Sequence, residues 1–120
     1  MIFDALIIGG GAAGMSCALV LGSAKPKAFA ANKTIGIITH QKTSHLQNAL
    51  FNNVLGLKPG TLGKDLLSDG KLQLERLYPE ITQIEKEKVS EITKIEENTL
   101  TIKTITQPCW NCRCTSTHTC

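Results

Sequence analysis

Apolar residues fall along this chain of 120 residues in short blocks separated by glycine-, lysine- and proline-bearing breaks. Phe3 to Ile8 (FDALII) is rich in β-formers and is followed at once by three glycines. A run of that length reads as a strand buried on both faces, the kind found inside a parallel sheet. Ala12 to Ala24 (AAGMSCALVLGSA) is Ala/Leu-rich, lacks proline and reads as a helix. Ser23 to Lys33 has the Lys, Pro and Asn of a loop, and Thr34 to Thr39 (TIGIIT) is a second buried strand. The opening is therefore strand, glycine turn, helix, strand: a βαβ unit.

Further along, Asn52 to Gly63 (NNVLGLKPGTLG) reads as a loop. Lys64 to Tyr78 places Leu67, Leu74 and Leu77 near one helical face, widened by Leu66 and Leu72, and Pro79 stops the helix. Val89 to Ile95 and Thr99 to Ile105 flank Glu96-Glu97-Asn98 and predict a hairpin. After Thr106 the periodicity ends. The sequence thus predicts a packed part over residues 1–106 and a disordered, Cys-rich tail over residues 107–120.

Composition refines this picture. Hydrophobic residues make up 42% of the chain and charged residues 19%, which suits one globular domain and excludes a disordered or collagen-like chain. The net charge of +3 is too mild to imply a nucleic-acid partner. Six lysines against one acid, Asp4, give residues 1–64 a mildly positive surface that suits a phosphate-bearing ligand. Ala28-Phe29-Ala30 mimics a leader-peptide cleavage site, but no Lys or Arg precedes the apolar run and a Gly triplet interrupts it. No apolar stretch approaches the ~20 residues of a membrane helix. A soluble, cytoplasmic protein with no membrane partner is expected.

The chemistry begins at Gly9-Gly10-Gly11-Ala12-Ala13-Gly14, which contains G-x-G-x-x-G at Gly9, Gly11 and Gly14. Gly9 allows the tight turn, Gly11 the approach of a pyrophosphate, and Gly14 close packing of helix on sheet. Ala12 and Ala13 open the helix, whose unpaired N–H groups and positive dipole end face the phosphates. The acid that usually ends the second strand and binds a ribose is missing. No Asp or Glu occurs between Asp4 and Asp65, and Thr39 or His40 occupies the place. Either can hydrogen-bond a ribose, less firmly than a carboxylate.

These residues carry a resemblance. FDALIIGGGAAGMSCALVL resembles the FAD-binding start of the thioredoxin-reductase-like flavoproteins, within the pyridine nucleotide-disulfide oxidoreductase group. NNVLGLKPGTLGKDLL is similar to that family's loop after the flavin region, with Asn53-Val54-Leu55-Gly56 in place of an Asn-aromatic-Pro-Gly segment. The strand containing Val89 is similar to the one whose backbone meets the adenine. The resemblance implies an α/β, three-layer Rossmann-like fold: a parallel sheet, a helix pair and an antiparallel hairpin. It implies FAD as cofactor, NAD(P)H as co-substrate and a disulfide or small molecule as electron acceptor. The candidate cofactor-binding residues are Gly9, Gly11, Ala12, Ala13, Gly14, Thr39, His40, Asn53 and Val89. Family members run to two or three times this length, so the sequence suggests a truncated form with an open sheet edge prone to self-association.

Elsewhere the residues are less directive. Cys109-Trp110-Asn111-Cys112 is a C-x-x-C, and with Cys114, His118 and Cys120 it offers soft ligands within twelve residues. Their spacing is not that of a structural zinc site, and a tail with incidental thiols is expected. Cys17 is expected to be a small buried hydrophobe. His40 and His45 flank a polar loop, and Glu85-Lys86-Glu87-Lys88 reads as a solvated turn without function. The rival functions are a non-catalytic nucleotide-binding fragment and a small metal- or redox-buffering protein acting through the tail.

Overall fold

The computed structural model describes residues 2–40, 45–105 and 110–113, the side chains of Trp110 and Arg113 excepted. The first apolar run is two strands: β1 (Ile2–Phe3) and β2 (Ala5–Ile8). The break lies at Asp4, whose backbone N–H donates to Thr34 O at 2.8 Å and whose carboxylate accepts the Thr34 N–H at 2.8 Å. There the chain passes from one sheet to another. Helix α1 (Ala12–Ala24) follows, then β3 (Ile35–Ile38), as the pattern predicts. Next come the short antiparallel pair β4 (Leu50–Phe51) and β5 (Thr61–Leu62), and helix α2 (Gly63–Leu77). The chain continues with β6 (Thr82–Ile84), the hairpin β7 (Val89–Glu96) and β8 (Thr99–Thr104), and β9 (Trp110–Arg113).

Two sheets carry the architecture. Strands β2, β3 and β6 form a parallel sheet with β3 at its centre. The other sheet runs β1-β9-β8-β7, antiparallel except where β1 meets β9. The helices pack on one face of the parallel sheet and the second sheet on the other, giving three layers and two cores. Met15, Ala18, Ile35, Ile37, Leu74 and Ile81 form the helix-side core. Phe3, Leu6, Ile38, Ile84, Ile102 and Cys112 form the sheet-side core. The period of two sorts β3 between them: Ile35 and Ile37 face the helices, and Ile38 faces the other way. Gly36 shares that second face, where an added Cβ would come within 2.6 Å of the Phe3 ring. The α/β fold and its appended hairpin therefore stand as the sequence implies.

Several expectations need correction. The tail is not wholly outside the fold, because residues 110–113 form β9 and complete a ladder between β8 and β1. Backbone hydrogen bonds make that ladder whatever the side chains are, and a strand this short needs only one inward apolar group. Cys112 supplies it, fully buried opposite Leu100, while Asn111 Oδ1 accepts a hydrogen bond from Thr101 Oγ1 at 3.2 Å. Residues 106–109 and 114–120, with Cys109, Cys114, His118 and Cys120, lie outside the described residues. Cys17 is exposed rather than buried. Met15, Ala18 and Gly22 are the buried residues of α1, and its apolar residues surround the helix so evenly that pattern cannot choose the inner side. On α2, Leu74 is buried, but Leu72 and Leu77 are exposed. Strand β2 is an edge among the described strands, not a central one, and Ile8 is 44% exposed.

Candidate functional site

A cleft of about 350 Å³ opens at the carboxyl ends of the parallel strands, where ligands of open α/β sheets bind. Three elements build it. The glycine turn contributes Gly10 and Gly11, the end of β3 contributes Thr39 and His40, and α2 contributes Lys64, Leu67, Ser68 and Lys71. Met15, Gln47, Gln83 and Glu85 complete the lining.

The turn is fixed from both sides. Gly9 adopts φ +108°, a conformation that side chains disfavour, and its N–H donates to Ile38 O at 2.9 Å. Gly14 packs so closely beneath the turn that a Cβ would collide with the Gly9 carbonyl oxygen. Gly9 and Gly14 are thus supports behind the cleft. Gly11 differs: a Cβ there would meet nothing within 4 Å, so the space over it is open. It is also the N-cap of α1, in extended conformation, with no side-chain cap and no acid in the first turn. The first N–H groups of α1, from Ala12, Ala13 and Gly14, have no acceptor within the helix and no capping side chain. This helix end favours an anion.

Positions 64, 67, 68 and 71 of α2 recur at helical spacing and form one stripe along the cleft. Lys71 Nζ forms an ion pair with Glu85 Oε1. The hydrogen bond to Glu85 holds the Lys71 amine above the ordinary lysine range, partial desolvation opposes this, and the charges of Glu85 and Glu75 add to it. Glu85 follows β6 directly and opens a turn in which Lys86 takes φ +60°. That turn is tied to β3, because Thr39 N–H donates to Ile84 O at 2.8 Å and Glu87 N–H donates to Thr39 O at 3.2 Å.

Of the sequence-derived candidates, the structure brings Gly11, Thr39 and His40 to the cleft, with Ala12 and Ala13 in the first exposed turn of α1. Two others lie apart from the lining. Asn53 is exposed in the loop between β4 and β5, and Val89 is half-buried against the sheet-side core. His45 is exposed in a turn. Sequence reasoning missed the α2 stripe and Glu85, which belongs to the segment read as a functionless solvated turn. Among the described residues no group of His, Cys, Asp or Glu could hold a metal ion. Nor is any described helix long and apolar enough to cross a membrane.

No protein-family model matches this sequence, and no curated protein matches it. Solved structures do match. An oxidoreductase from Agrobacterium tumefaciens is 25% identical, with TM-score 0.74, over 93% of this chain and 34% of its own. A thioredoxin reductase from Streptococcus pyogenes is 23% identical, with TM-score 0.71, over 93% and 33%. A ferredoxin-flavin thioredoxin reductase from Clostridium acetobutylicum is 22% identical, with TM-score 0.64, over 93% and 35%. The chain spans about a third of the length of these structures. It has the fold that thioredoxin-reductase-like oxidoreductases use over that third of their length.

Proposed function

We propose that the chain is the dinucleotide-binding part of an FAD-dependent oxidoreductase of the thioredoxin-reductase-like type, with NAD(P)H as electron donor and a disulfide or small molecule as acceptor. One observation carries the reading. The glycine turn, held between Ile38 and Gly14, presents an uncapped helix end to an open cleft on a fold shared with those enzymes. The residues fit the ADP half of FAD. The open space over Gly11 would admit a pyrophosphate, the first turn of α1 would donate to it, and Lys64 adds a positive charge on the facing helix. Bound flavin would supply the hydride and electron transfer. This chain's residues would bind and orient it.

The same reading includes two lesser proposals. Cys17 is a free, exposed thiol, as a reducing cytoplasm would keep it. Self-association would use the side of β2 away from β3, which pairs with no other described strand. The test is titration of the purified chain with FAD, followed by flavin fluorescence and visible absorbance. Saturable binding that ADP competes away is expected. An unchanged flavin spectrum at saturating protein, with no competition by ADP, would remove the reading.

A further inference from the structure

The acid that ends the second strand of such a βαβ unit is absent here, since β3 runs into Thr39 and His40. Among the described residues the cleft lining nevertheless has one carboxylate, Glu85, which directly follows the neighbouring strand β6. We infer that Glu85, oriented by Lys71, reads the ribose hydroxyls of the adenosine moiety in place of an acid on β3. The inference rests on the dinucleotide reading above and adds to it the residue that selects an unmodified ribose.

The geometry supports the substitution. Strands β3 and β6 are hydrogen-bonded neighbours in parallel register, with Ile38 opposite Ile84. Glu85 is therefore one strand over from the place where the acid would stand and level with Thr39, one residue past the last registered pair. Strand spacing puts that offset at about 4.8 Å, within the reach of a glutamate side chain. The turn that carries Glu85 is pinned to the end of β3 through Thr39, so both strand ends form one rim. Lys71 holds one carboxylate oxygen from α2. A carboxylate accepts about four hydrogen bonds, so capacity remains for a ribose diol. The pair is 40% and 36% exposed at its side chains, so a ligand can reach it without dismantling a core. Glu85 would also repel a phosphate at the ribose 2′ position, whereas a lysine-dominated rim would attract one.

The experiment compares ADP, 2′-deoxy-ADP and adenosine 2′,5′-bisphosphate as probes of the full chain by calorimetric titration. The same series is run on Glu85→Gln and Gly11→Val, with circular dichroism melts to show that both variants fold. The wild-type chain should bind ADP about tenfold more tightly than 2′-deoxy-ADP, the worth of a hydrogen bond to a charged group. In Glu85→Gln that discrimination should fall to about twofold or less, and the 2′-phosphate should be better tolerated than in wild type. Equal binding of ADP and 2′-deoxy-ADP by wild type would overturn the inference, as would full discrimination in Glu85→Gln. Tighter binding of the 2′-phosphate than of ADP by wild type would also overturn it, assigning the rim to Lys71 instead. In all three cases ADP binding lost in Gly11→Val would leave the dinucleotide reading standing. Absence of any ADP binding by wild type would overturn both.

Discussion

Strand β3 buries all four of its residues, whereas β7, twice as long, buries none of its eight fully. The first sits between two layers and orders both cores. The second is the outer edge of a sheet whose other side covers the Phe3–Ile102 core. Its charges Glu91, Lys94 and Glu96, with register irregularities near both ends, are devices that discourage further strand pairing. Chemistry follows the same division. Every cleft-lining residue belongs to the parallel sheet, its helices or their connections. The meander is a cover that allows the parallel sheet to be apolar on both faces, and the parallel sheet aims the glycine turn.

The most severe way to break this division is to remove residues 107–120. That change deletes β9 from between β1 and β8 and uncovers Phe3 and Ile102. Cooperative unfolding should be lost, read as a broad thermal transition by circular dichroism, and an unchanged sharp transition would show that β9 adds nothing. Next in size, Ile37→Ala should cost about 2–5 kcal/mol in urea unfolding because the site is fully enclosed. Ile92→Ala, on a residue 52% exposed, should cost under about 1 kcal/mol. Similar losses at both sites would erase the contrast. Gly11→Val should cost no more than about 1 kcal/mol of stability, the loss of a glycine N-cap, because its side chain meets open space, yet weaken ADP binding at least roughly tenfold. Gly14→Ala should damage both, through collision with Gly9.

The smallest effect concerns pH. The Lys71 amine is raised by its bond to Glu85, so it binds its proton more tightly folded than unfolded. Its contribution is fully present below about pH 10.4, the ordinary lysine value, and is lost as pH rises through the raised folded value. Both side chains are more than a third open to solvent, so the loss should be slight. Wild type should lose a little more stability than Glu85→Gln between neutral pH and pH 11. A larger loss in the variant would reverse the sign and contradict the pairing.

Much of this was legible in the residues, and the limits have physical causes. The βαβ opening was readable because long apolar blocks meet a glycine turn with few alternatives. Strand β6 was not, because three residues after Pro79 carry no period. Strand β9 hid because its alternation, WNCR, spans only four residues inside a polar, Cys-rich segment and is too short to stand out. The division of the first run at Asp4 depends on hydrogen bonds to Thr34, which lies thirty positions away. Within the site, the glycine positions were readable because backbone geometry demands them. Glu85 was not, since its role depends on which strand lies beside β3. The lysines of α2 have helical spacing, but only the fold shows that their stripe faces the glycine turn.

The central claim is that the dinucleotide sits in the parallel half alone, and amide chemical-shift mapping during titration with ADP tests it most directly. Shifts should concentrate at Gly9 to Met15, at Thr39 and His40, and at Glu85 to Glu87, while β7 from Glu91 to Glu96 stays still. Shifts centred on the meander, or none at millimolar ADP, would contradict the account.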